Sequence, residues 1–110
     1  RMPTPYTQFL SGTQELVSTL ACFASAGEIK ARTPLMQNGA GLMVEWDGTP
    51  GKAVYLTISD INTATKNRAQ VYKCGVFNID EINWPDTADT FEKKVSAFVG
   101  SGISVQPLGQ

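Results

Sequence analysis

From Leu35 onward the apolar positions fall into short runs that alternate with polar residues or stop at turn chemistry. "LMVEWD" (42–47) alternates as a strand with one buried face does, and "DGTPG" (47–51) follows as a turn. "KAVYLTIS" (52–59) is rich in β-branched and aromatic residues and predicts a second strand, paired with the first as a hairpin across Asp47–Gly51. "DINTATKN" (60–67) is a polar loop and "RAQVYK" (68–73) a third strand; Gly75 interrupts, and "VFNI" (76–79) is a short fourth. "NGAG" (38–41) and "GSG" (100–102) fit turns, since neither matches a phosphate-binding glycine pattern between a strand and a helix.

The period then changes. Pro85 keeps Trp84 out of the α region, so no helix begins before it. "DTFE" (89–92) has capping-box spacing, with Asp89 accepting from the Glu92 amide and Glu92 reaching back. Phe91, Val95 and Phe98 recur at helical intervals and predict a buried face over about three turns, with Lys93 and Lys94 on the exposed side. Gly100 and Gly102 suit a left-handed exit, and "ISV" (103–105) resumes strand character.

Before Pro34 the pattern is weaker. In "QELVSTLACFASAG" (14–27), Leu16, Leu20 and Phe23 fit helical spacing while the β-branched and small residues favour a strand, and the pattern leaves both open. The chain therefore divides into an extended N-terminal arm over 1–34, mobile until something docks it, and a compact domain over 35–110. On that division, removing 1–32 would leave a folded domain. The fold class expected is α+β and β-rich, with one short amphipathic helix near the C-terminus.

Composition narrows the chemistry. At 110 residues with 42% apolar content, the chain has material for one real core. Nine basic residues against ten acidic ones give a formal charge of −1, with no basic footprint for nucleic acid and no polybasic membrane patch. No apolar run is long enough for a membrane span, and "RMPTPYTQFLSG" lacks the apolar centre of a secretory signal. There is no histidine, which removes the commonest general base and the commonest metal ligand. Cys22 and Cys74 form no CxxC pair and are expected to be reduced and buried.

The remaining constellations favour structure over reactivity. Lys93 or Lys94 beside Ser96 would be needed for Ser–Lys chemistry, but lysines next to serine on a helix surface are ordinarily solvated. Asp80, Glu81, Asp86 and Asp89 lack the spacing of a calcium loop and suit a solvated loop and helix cap. Trp46 and Trp84, with nothing basic interleaved, suit a core or a subunit contact. The expectation is a protein with no catalytic residues, no metal and no cofactor. Its function would lie in the arm, which could add a strand to a partner's sheet edge.

"TPLM" (33–36), "VEWDGT" (44–49), "VYKCGVFN" (71–78), "INWP" (82–85) and "KKVSAFVGSGIS" (93–104), in this order and spacing, resemble the lambda-type phage head decoration proteins over about residues 33–105. None of these motifs is specific alone; their joint spacing carries the likeness. The resemblance implies a β-clip-like domain and a non-enzymatic capsid cement protein. It implies homotrimers on the outside of the virion head, at three-fold positions of the expanded shell, resisting the pressure of packaged DNA. The implied partners are the major capsid protein and further copies of the chain, with assembly in the host cytoplasm and no nucleic acid or membrane contact.

Carried onto this chain, Thr33, Pro34, Leu35 and Met36 would form a turn where the arm meets the knob. Trp46, Asp47 and Gly48 would end a strand, and Tyr72, Lys73, Gly75 and Phe77 would lie on a central one. Trp84 and Pro85 would set the start of the helix, with Lys93, Lys94, Ala97, Phe98 and Gly100 on it and its exit. Cys74 stands where the family has a small hydroxyl residue, which suggests a tolerant, partly buried position. Candidate capsid anchors are Tyr6, Phe9, Leu16, Val17, Leu20, Thr33 and Pro34; candidate scaffold residues are Trp46, Tyr72, Phe77, Trp84, Pro85, Phe91, Val95 and Phe98. The alternative is a small binding module or inhibitor from a mobile element acting on a soluble host protein.

Overall fold

The computed structural model describes residues 16–108. They form β1 (Val17–Cys22), β2 (Glu28–Ile29), β3 (Pro34–Gln37), β4 (Met43–Glu45), β5 (Tyr55–Thr57), β6 (Ile61–Asn62), β7 (Arg68–Asn78), a 3-10 turn (Ile79–Glu81), α1 (Phe91–Ser96) and β8 (Gly102–Gln106). The main sheet runs β1-β7-β5-β3-β4, with β8 joined in parallel to the end of β7, while β2 and β6 form a separate antiparallel pair. The β-rich expectation with one short helix holds in this architecture.

Both faces of the sheet are covered, and the two-residue period of the strands distributes the side chains between them. Leu35, Val71 and Met43 turn to one side, where they meet Ala21, Phe23, Ile29 and Ile61. Their immediate neighbours Met36 and Tyr72 turn to the other side and pack on Trp46, Leu56, Phe77, Phe98, Ile103 and Val105. The sheet curls around the first cluster until its two ends meet. Phe23 donates to the Asn67 carbonyl, Ala24 donates to Met43, and an isolated bridge joins Phe23 to Met43. The β2–β6 pair closes this side by contributing Ile29 and Ile61.

β7 serves both cores by changing face halfway. Ser18 pairs with Tyr72 but Val17 pairs with Cys74, so Lys73 is an extra residue on β7, a bulge that shifts the period by one. Gly75 follows at φ 148°. Beyond it, odd-numbered Phe77 faces the same cluster as even-numbered Tyr72, their ring centroids 5.3 Å apart. A β-carbon on Gly75 would stand 2.8 Å from both Leu16 Cδ2 and Phe77 Cζ, so only glycine fits. Here the expected two strands are one: Gly75 does not break the strand but lets it pass between two cores.

Other expectations need correction. β4 and β5 do not pair; β3 lies between them and bonds to both, so the hairpin is β3–β4 across Asn38–Leu42. Asn38 builds that turn, its side-chain oxygen accepting from the Ala40 and Leu42 amides at 2.9 and 3.0 Å. Pro34, Leu35 and Met36 of "TPLM" are accordingly strand rather than turn, with Leu35 and Met36 facing opposite cores. The segment 14–27 resolves, where described, as strand β1. Phe23 and Ile29 are core residues at 3% and 1% exposure and β1 pairs along β7, so the described part of the expected arm contributes to the packed core.

The helix is shorter and faces differently than predicted. Thr90 caps it by accepting from the Lys93 amide, and Asp89 instead pairs with Lys93 Nζ at 2.8 Å. After Ser96 the chain tightens into turns and leaves through Gly100 at φ 95°. Gly102 is no part of this exit; it starts β8, where a β-carbon would meet the Lys73 carbonyl at 2.6 Å. Burial comes from Ala97 and Phe98, at 0% and 1% exposure, whereas Phe91 and Val95 point outward. Cys22 is likewise exposed rather than buried, Cys74 is half-buried, and no disulfide joins them.

Candidate docking surfaces

The candidate anchors separate by burial. Tyr6 and Phe9 lie outside the described residues. Leu16 packs against the larger core and Val17 is half-buried at the bulge, so both are partly used within the fold. Leu20 is 57% exposed, on the outward side of β1 with Ser18 and Cys22. Thr33 and Pro34 are buried, which corrects their assignment as contacts: their side chains offer no surface to a partner.

Thr33 is held in a polar knot instead. Its hydroxyl donates to the Lys30 carbonyl at 2.7 Å and accepts from Asn83 Nδ2 at 2.9 Å. Its amide donates to Thr57 Oγ1, and that hydroxyl donates to the same Lys30 carbonyl. Arg32 beside it takes a left-handed φ of 62°; its carbonyl accepts from the Asn83 amide, and its guanidinium bonds Glu81 at 3.1 Å. This knot ties the chain before β3 to the loop after β7, and a satisfied buried network of this kind fixes relative position.

The scaffold candidates sit around the larger core. Trp46 is buried, its indole donating to the Thr49 carbonyl at 2.8 Å. Trp84 stands edge-on to it at 6.0 Å, donates to the Ile79 carbonyl and lies 6.3 Å from Phe98. The Pro85 carbonyl accepts from the Ala88 amide, turning the chain toward α1. Tyr72, Phe77 and Phe98 complete this group, while Phe91 and Val95 lie outside it at 54% and 40% exposure.

No reactive arrangement assembles among the described side chains singled out from the sequence. Ser96 donates to the Lys93 carbonyl while Lys93 Nζ is engaged by Asp89, so the serine and lysine do not face each other. The Lys93 ammonium holds the Asp89 carboxyl below its ordinary value, and hydrogen bonds from Thr49 do the same for Asp47. The acidic group disperses: Glu81 goes to Arg32 and Asp89 to Lys93.

Two surface features were not legible beforehand. Phe91 and Val95 on α1 and Val99 in the turn after it are exposed apolar residues, an outer stripe at this end of the fold. Beside it lies an open concavity of about 490 Å³ with Met36, Gln37, Asp47, Thr49, Lys52 and Val54 in its wall. The stripe's spacing was visible in the sequence, but period alone does not say whether a face points in or out. The concavity joins residues from β3, the loop after β4 and the lead into β5, which no local pattern connects.

Comparison with known proteins places the chain in a family. Residues 3–105 match the model of the bacteriophage lambda head decoration protein D family, so the likeness reaches well ahead of Thr33. The chain is 40% identical to the head decoration protein of Enterobacteria phage P21 over 76 residues, 67% of this chain and 64% of that protein. It thus spans just under two thirds of that relative's length. A putative decoration protein of Escherichia phage N15 is 35% identical over 78 residues, 68% of this chain and 69% of its own length.

Proposed function

The chain belongs to the bacteriophage lambda head decoration protein D family, and on that premise we propose that it is a capsid cement protein on the outside of a phage head. It binds the major capsid protein as homotrimers at the three-fold positions of the expanded shell. There it clamps neighbouring subunits against the pressure of packaged DNA, without catalytic chemistry and without touching nucleic acid. The knob is of the β-clip kind, and the capsid contact lies in the segment ahead of β1.

The observation that carries this reading is the family match over 3–105, which takes in the N-terminal segment as well as the knob. The architecture lends support. The two cores are tied together by the β7 bulge and the Thr33–Thr57 knot, and a clamp under load needs a stiff body. A trimer also makes the second and third dockings effectively intramolecular, so weak single contacts add to a firm hold.

The test is sedimentation of the purified protein with expanded, undecorated heads of its own phage, counting bound copies. Saturation at three copies per three-fold site, with melting of the decorated heads shifted upward, is the expected outcome. Absence of binding by the folded protein would overturn the reading.

A further inference from the structure

We infer that the outer stripe of α1 seats in the open concavity of a second copy of this chain, forming a head-to-tail contact between subunits. This deepens the trimer proposed above and rests on it for one point, closure after three copies.

The stripe is the first half of the contact. Phe91 and Val95 stand one helical turn apart on α1, Val99 follows in the turn after it, and the three are 54%, 40% and 65% exposed. Apolar side chains in contiguous exposed rows mark interaction sites more often than scattered ones do. At about 100° per residue, Glu92 and Lys94 flank the row on opposite sides. The concavity is the second half: it offers apolar Met36 and Val54, and its wall carries Asp47 and Lys52.

The charges match between copies. Glu92 and Lys94 on the stripe find Lys52 and Asp47 in the concavity, one pair of each sign. None of these four belongs to the three ion pairs formed among the described residues, which join Lys30 to Glu28, Arg32 to Glu81 and Lys93 to Asp89. The Asp47 carboxylate is moreover held in place by the Thr49 amide and hydroxyl, at 3.0 and 2.8 Å. Complementary charge around an apolar centre sets register and excludes wrong partners.

The placement of the two halves identifies the occupant as another copy. They adjoin on one subunit: the Gly51 amide donates to the Ser96 carbonyl at 3.0 Å, and the Val99 carbonyl lies close to Gly51. None of the three apolar side chains lines the concavity of its own subunit, and all three stay exposed. Each copy presents one stripe and one concavity, as a heterologous contact requires, and two such faces meeting at an edge make a wedge. Wedges of this kind close into a ring when the rotation between copies completes a turn.

The experiment compares wild type, Val95→Glu, Lys52→Glu, Glu92→Lys and the Lys52→Glu/Glu92→Lys pair by sedimentation velocity across a concentration series. Circular dichroism verifies the fold of each variant. Wild type is expected to assemble into trimers and Val95→Glu to stay monomeric with an unchanged fold. Each single charge reversal should weaken assembly about tenfold, and the pair should recover most of that loss. Trimers of Val95→Glu as tight as wild type, or no recovery in the pair, would overturn the contact while leaving the trimer standing. Val95→Glu that remains trimeric but no longer pellets with heads would also overturn it, assigning the stripe to the capsid protein. If wild type is monomeric in solution and binds heads one copy at a time, the three-fold reading itself fails and this contact with it.

Discussion

Phe98 and Gly75 show how much single residues carry here. Phe98 is 1% exposed and joins the helix exit to Trp84 and the larger core. Phe98→Ala should cost about 3–5 kcal/mol, read as a drop in denaturant midpoint at unchanged slope. Gly75→Ala drives a methyl against Leu16 and Phe77 at a backbone angle L-residues avoid, so it should cost about 1–3 kcal/mol or more. Gly100→Ala is the control: its φ of 95° is also unfavourable, but nothing stands within 4 Å, so only the backbone cost of about 1–2 kcal/mol should appear. Thr57→Val keeps the shape but removes the hydroxyl bonding the Lys30 carbonyl and the Thr33 amide, and should cost about 1–3 kcal/mol in the same assay.

The elements obey their local signals, yet partners set their limits. β1 supplies Ala21 to the smaller core and leads directly into Phe23, so removing residues 1–32 takes away core as well as arm. That truncation is expected to lose its cooperative unfolding transition, whereas a cut ahead of Leu16 spares every described element. At the start of α1, the Asp89 carboxyl has a folded-state value below its ordinary 3.8, as does Asp47 in the loop after β4. Both therefore contribute stability that is present above pH 3.8 and is lost as the pH falls through the depressed folded values. In acid melting curves, Asp47→Asn/Asp89→Asn should show a shallower loss below pH 3.8 than wild type, and the effect should be small because both groups are exposed.

At the scale of the whole molecule, two cores fill opposite faces of one sheet, while apolar Leu20 on β1 and Phe91 and Val95 on α1 stay exposed. If copies associate through α1, mass action links stability to concentration. The melting temperature should rise with protein concentration in wild type and stay level in Val95→Glu. A flat series for wild type would mean that folding and association are not coupled.

The sequence by itself determined where β4, β5, α1 and β8 lie, because alternation, turn residues and caps are local: the Asn38 turn, the Pro85 limit and the Gly100 exit all lie where their residues place them, whereas β3 and β6 fell in segments read as turn and loop. It also carried the family, since spaced motifs survive where single residues do not. It did not determine which strands pair, since β3 comes between β4 and β5 through contacts that no local pattern encodes. Nor did it determine facing. Phe91, Val95 and Phe98 share a period, and only the packing of Ala97 and Phe98 against β8 and the tryptophans decided that Phe98 goes in while Phe91 and Val95 face out. Thr33 and Pro34 were drawn inward for the same reason: burial is a property of what surrounds a residue, and the surroundings of these two come from β5 and the loop after β7.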